Sequence, residues 1–139
     1  MVKIYSKVDP TLLLHIVFRE EDFNKERTEI IDADNFLQCA ALRFDEGRSF
    51  RPHKHIEVDV TYTKKKAQEA WVVMRGVLRV SFYDIDDSIL EESTLFTGDA
   101  CFTLHGGHTF EILQNNSFIF EFKTGPYLGQ TLDKTFIDA

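Results

Sequence analysis

The sequence predicts an all-β domain of antiparallel strands, and three observations carry that prediction. From Asn35 onward, short apolar or alternating segments recur at intervals of about ten residues. Gly, Asp and Asn punctuate them at turn-like positions. Thirteen phenylalanines supply side chains suited to pleated, buried surfaces, and no long stretch carries helical periodicity. Together they argue for a closed antiparallel sandwich or barrel.

Taken in chain order, Val2 to Tyr5 reads as a short strand. Leu12 to Phe18, interrupted by His15, reads as a strand or a short helix. The charged stretch Arg19 to Arg27 is expected as a solvated surface turn. Phe36 to Phe44 is expected as a strand ending at the turn Asp45-Glu46-Gly47-Arg48, with a further strand over Ser49 to His55. Ala70 to Met74 and Val77 to Tyr83 flank a turn at Arg75-Gly76, and Asp84 to Ser88 forms a polar turn. Ile89 to Phe96 and Ala100 to Leu104 flank Thr97-Gly98-Asp99. His108 to Leu113 and Phe118 to Thr124 flank a turn at Gln114 to Ser117.

A chain of 139 residues supports one domain with a sizeable core. Its 43% hydrophobic content excludes global disorder, and no stretch approaches the ~18 uninterrupted apolar residues of a membrane span. With 16 Lys plus Arg against 23 Asp plus Glu, the net charge is −7, so neither nucleic acid nor anionic lipid is an expected partner. A local basic pocket is still compatible with a small anion. No signal peptide is read, and Cys39 and Cys101 are expected as reduced thiols of a cytoplasmic protein. There is no P-loop, nucleophile elbow or dinucleotide fingerprint.

The chemistry concentrates in the histidines. Four of the five fall in two groups, His53 with His55 and His105 with His108. Residues two apart in a strand share a face, so His53 and His55 would project together. With Glu69 and His108 they make three imidazoles and one carboxylate, a donor set suited to Mn, Fe, Ni, Co or Zn. A lone histidine on a strand is more often a core or surface residue satisfied by a hydrogen bond.

The spacing adds to this. Gly47, five residues, His53-Lys54-His55, then Glu69, six residues and Gly76 resemble the first signature of the cupin superfamily, with a thirteen-residue insertion between His55 and Glu69. Gly98-Asp99 leading to His108 resembles the second. The resemblance spans roughly Phe36 to Thr124. It implies a single cupin-type antiparallel β-barrel, the double-stranded β-helix or jelly roll, over residues 36–139, with residues 1–35 as an N-terminal extension packing on it. It also implies one divalent transition metal ion held by His53, His55, Glu69 and His108, with His105 the rival fourth ligand. The ending Phe120 to Tyr127, followed by Asp133-Lys134, resembles WbuC-type cupins of bacterial polysaccharide biosynthesis clusters. That implies a setting in nucleotide-sugar or polysaccharide metabolism.

Parity extends the site. Arg51 shares the expected face of His53 and His55, and Trp71, Val73 and Arg75 share that of Glu69. Phe118, Phe120 and Phe122 mark a core-like or inter-sheet face. Glu121 and Lys123 share the opposite face with Ile119, either in the barrel mouth or on a solvated surface, where paired charges commonly lie. Glu121 is the candidate catalytic base. Arg51, Arg75, Lys123 and Tyr127 are the candidate substrate-binding residues, the cations suiting a carboxylate or phosphate. The expected function is a metal-dependent enzyme, isomerase- or epimerase-like, acting on a small anionic or sugar-derived ligand. The alternatives are a non-catalytic metal-dependent sugar or effector-binding module and an iron-dependent dioxygenase. A homodimer is expected, with residues before Asn35 contributing an edge strand or a cover.

Overall fold

Alternating apolar residues on eight short strands build two facing antiparallel sheets, and two further strands pair with each other. The computed structural model describes residues 1–23, 25–57, 59, 65–125 and 128–138. Among them the strands are β1 (Val2–Tyr5), β2 (Leu13–Phe18), β3 (Arg27–Glu29), β4 (Ala40–Leu42), β5 (Glu69–Arg75), β6 (Val77–Tyr83), β7 (Ile89–Phe96), β8 (Ala100–Thr103), β9 (Gly107–Ile112) and β10 (Phe118–Lys123). A single helical turn, α1 (Gln130–Asp133), follows. The larger sheet has the order β1-β2-β8-β5-β10, a second sheet runs β7-β6-β9, and β3 pairs only with β4. The protein is therefore all-β and antiparallel, and no sheet among the described residues closes into a barrel.

Two strands within the first eighteen residues, β1 and β2, belong to the larger sheet. Leu14, Ile16 and Val17 are buried on β2, which pairs with β8, and β1 forms the edge. Period-2 alternation sends Val17, Trp71, Val73 and Cys101 to one face, where they meet Leu78, Val80, Phe82 and Leu95 of the three-stranded sheet. The opposite face carries Ile16, Phe18, Ala70, Ala100 and Phe102, covered by Ile30, Ile31, Phe23, Leu37, Cys39 and Ala41. The segment 19–42 thus serves as the lid of a second core.

Three expectations are corrected here. Phe36 to Phe44 is mostly irregular, with only Ala40–Leu42 as strand, and Ser49 to His55 has no strand. Both segments lie where few apolar partners are offered: Phe50 is 59% exposed and Ile56 82%. The phenylalanine face of β10 is not core. Phe118, Phe120 and Phe122 are exposed because β10 is an edge strand and the cover stops over β2, β8 and β5. The opposite face is the more covered one: Ile119 packs on the first core and Lys123 is half-buried, while Glu121 stays exposed.

Candidate functional site

Register alone assembles the site. Antiparallel pairing puts Ile4, His15, Thr103, Glu69 and Lys123 in one row across all five strands of the larger sheet. The next row holds Val17, Cys101, Trp71 and Glu121. Since partners across a ladder share a face, one end of the inter-sheet space is polar and the rest apolar. His108, opposite Phe82 on the facing sheet, closes the polar end from the other side.

Glu69 is the centre. It is buried, its Oε1 lies 3.5 Å from His108 Nε2 and its Oε2 3.8 Å from Lys123 Nζ. Burial first, then the charge of Glu121 and a hydrogen bond to it, push the Glu69 carboxyl up to about 7. Lys123 opposes the shift. The Trp71 indole N–H donates to Glu121 Oε2 at 3.0 Å, fixing the second carboxylate. Lys123 donates to Asp133 of α1, and that bond holds the ammonium charged.

His108 stacks on Trp71 with ring centroids 4.2 Å apart and planes 14° from parallel. Burial, chiefly, with His15 and Lys134 nearby, lowers its pKa to about 4. Its contact with Glu69 is therefore that of a neutral imidazole, not an ion pair. Behind it, Thr103 Oγ1 lies 2.8 Å from His108 Nδ1 and 3.0 Å from His15 Nδ1. His15 Nε2 lies 3.1 Å from the Tyr83 carbonyl oxygen. Chemically, the site combines a buried carboxyl raised to about 7, a second glutamate beside it, a neutral imidazole and one cation. Those are the parts of acid–base catalysis on a ligand with a developing negative charge.

The sequence-derived residues divide clearly. Glu69, His108, Glu121 and Lys123 come together. His53 and His55 remain neighbours, with ring centroids 5.5 Å apart, but sit on the exposed segment without strand. His53 Nδ1 donates to the Arg51 carbonyl at 3.0 Å, and Arg51 is exposed, so strand parity does not govern it. Arg75 turns away: β5 bulges at Met74, pairing Arg75 with Phe118, and its guanidinium donates to the Asn116 carbonyl and Oδ1 at 3.0 and 3.2 Å. His105 stays in the turn after β8, its backbone N–H donating to the Leu14 carbonyl. Tyr127 lies outside the described residues.

The implied metal was tested on this donor geometry. The four expected ligands fall into two pairs, Glu69 with His108 and His53 with His55. No group of three or more His, Cys, Asp or Glu among the described residues is arranged to hold a metal ion. Among the described residues, these side chains do not form one coordination sphere.

His15 and Thr103 were not singled out by sequence, and Asp133 entered only through the ending that resembles WbuC-type cupins, with no role at the site. For His15 there was a signal: a histidine inside an apolar strand must find partners on burial. Thr103 carried none.

No protein-family model matches the chain, and neither a curated protein nor a solved structure matches it.

Proposed function

We propose that this chain is a cupin-like protein that binds a small, polar, sugar-derived ligand at the polar end of the inter-sheet space and moves protons on it, as an isomerase or epimerase does. The observation that supports this reading is buried Glu69, its carboxyl pushed up to about 7, within 3.5 Å of His108 Nε2 and 3.8 Å of Lys123 Nζ. Isomerisation needs a base to take a proton from the carbon next to a carbonyl, leaving an enediolate. It then needs an acid to return a proton at the neighbouring carbon. No oxidant or reductant is consumed. Glu121 serves as the base, and Glu69 beside it, its carboxyl raised to about 7, serves as the acid that returns the proton. Lys123 stabilises the enediolate oxygen or holds a carboxylate or phosphate of the ligand. The resemblance to WbuC-type cupins supports a setting in nucleotide-sugar or polysaccharide metabolism.

The test is a screen of sugar acids and nucleotide sugars in deuterated buffer, read by thermal shift and by mass spectrometry of the recovered ligand. A catalytic site washes solvent deuterium into the ligand, and Glu121→Gln stops the exchange while binding persists. Binding without exchange in the wild type makes the chain a sugar or effector-binding module. No stabilisation by any member sinks the reading.

A second reading keeps the metal, supported by the spacing of His53, His55, Glu69 and His108 and by the 3.5 Å approach of the last two. A bound divalent ion would supply Lewis-acid polarisation of a ligand oxygen, or, as iron, oxygen chemistry. Metal analysis of natively purified wild type, His53→Ala and His108→Ala tests it. Stoichiometric metal in the wild type and loss in both variants supports it; protein that refuses added Mn, Fe, Co, Ni and Zn excludes it. Metal lost in His105→Ala and kept in His108→Ala would transfer the role to His105.

A further inference from the structure

We infer that His15 and Thr103 are positioning residues that hold His108 in one tautomer, with Nδ1 protonated and the Nε2 lone pair turned toward Glu69. The argument runs inward from the Tyr83 carbonyl, which can only accept a hydrogen bond. His15 Nε2 lies 3.1 Å from it and must carry the proton. The His15 ring is fully buried, its nitrogens bonded to a carbonyl and a hydroxyl, so it is neutral and has one ring proton. Burial also pushes its pKa down to about 4, in the same direction.

His15 Nδ1 is then a lone pair, and the Thr103 hydroxyl 3.0 Å away must donate to it. That hydroxyl has a single proton, so at its other neighbour it can only accept. His108 Nδ1, at 2.8 Å, is therefore the donor. A neutral His108 protonated at Nδ1 has a bare Nε2, the nitrogen 3.5 Å from Glu69 Oε1. The chain of three bonds has one polarity, and reversing any link leaves the carbonyl facing a lone pair.

The surroundings keep the links short. Gly106 has φ +78°, and a Cβ there would fall 2.4 Å from the Tyr83 oxygen and 3.2 Å from His15 Nε2, so only glycine lets this turn pass. Stacking on Trp71 holds the plane of the His108 ring. At rest, His108 is thereby set to accept at Nε2 and not to donate from it. Only this catalytic consequence rests on the proposed acid–base function. It leaves both proton transfers on the ligand to Glu69 and Glu121, with His108 able to accept a proton but not to supply one.

The experiment is a two-bond nitrogen–proton correlation spectrum of the full chain labelled with 15N-histidine, near neutral pH. His108 should show a protonated Nδ1 and a lone-pair Nε2, and His15 the opposite pattern. Thr103→Ser should preserve both patterns. Thr103→Val, similar in shape but without the hydroxyl, should raise the ratio of the Nε2-protonated to the Nδ1-protonated form of His108 roughly tenfold, as the loss of one neutral hydrogen bond implies. The wild-type spectrum alone can overturn the inference, through a His108 protonated at Nε2 or at both nitrogens. So does an unchanged ratio in Thr103→Val whose amide spectrum shows it folded. Adding a sugar acid to the same samples separates the two claims. Expected tautomers without any ligand response count against the proposed function alone, and a ligand response with His108 protonated at Nε2 counts against the tautomer lock alone.

Discussion

Glu69 and Glu121 lie on the diagonal of the β5–β10 register, which sets Glu69 opposite Lys123 and Trp71 opposite Glu121. Burial and the charge of Glu121 push the Glu69 carboxyl up to about 7. The row of partners, not any sequence motif, brings them together.

This carboxyl pair makes stability depend on pH in a direction opposite to that of most acids. The folded Glu69 holds its proton up to about 7, against an ordinary 4.5, so folding favours the protonated form. That contribution is fully present below pH 4.5 and is lost as pH rises toward 7. Glu69→Gln, which mimics the protonated acid, should therefore gain stability relative to wild type as pH rises through this window. Urea unfolding at several pH values checks it; a constant difference between the two proteins refutes it.

His15 acts in the other direction. Its pKa falls from 6.5 to about 4 on burial, so the folded state binds its proton more weakly than the unfolded chain does. The contribution is present above pH 6.5 and is lost as pH falls through that value toward 4. The displacement corresponds to roughly 3 kcal/mol. His15→Phe should lose that share of the acid sensitivity, so its unfolding free energy should vary less between pH 6.5 and 4 than that of the wild type. Equal slopes would show that the ring is not held neutral.

Gly106→Ala should be among the most destabilising single-methyl changes in the chain. It combines a left-handed backbone with a Cβ 2.4 Å from a carbonyl oxygen. A cost of about 2–4 kcal/mol is expected, the sum of backbone strain and a displaced turn. Thermal unfolding measures it, and a change within about 0.5 kcal/mol, the scale of a neutral surface site, contradicts the local geometry.

Asp133 occupies the cation that a ligand anion would need. Its carboxylate accepts from Lys123, and both side chains are largely covered. Asp133→Asn should strengthen the binding of a sugar acid about tenfold, worth ~1.4 kcal/mol, while leaving a neutral sugar unaffected. Calorimetry with both ligands decides; an equal change for each means that Lys123 does not read charge.

Edge strand β10 presents Phe118, Phe120 and Phe122 to solvent, at 45%, 45% and 55% exposure. A two-fold antiparallel pairing of this edge with a second copy would set Phe120 against its own counterpart and Phe118 against Phe122. We expect a homodimer through this edge, and Phe120→Lys to convert it to monomer without unfolding it. Sedimentation of a monomeric wild type at tens of micromolar, where a standard interface holds, rules the dimer out.

Local pattern by itself determined the strand inventory from Glu69 to Lys123, because each segment there pairs period-2 alternation with a turn of obligate geometry. Gly76 and Gly98 have φ of 105° and 93°, and Asn116 one of 61°, at turns legible from residue type. Glu121 and Lys123 were legible as a shared face because parity on a regular strand predicts one, whereas Glu69 and His108 entered through the spacing that resembles the cupin signatures. Parity failed at Arg75, where a bulge intervenes, and at Arg51, where no strand forms. Only the tertiary structure decided which face of β10 turns inward. Alternation says that Phe and Glu/Lys lie on opposite sides, but not where the covering segment 19–42 ends. It also decided the roles of His15 and Thr103, since the register of β2 on β8 and of β8 on β5 joins residues 15, 103 and 69 into one row. Pairing between strands this distant in the chain depends on the burial that the whole assembly gains, and no local window of sequence contains it.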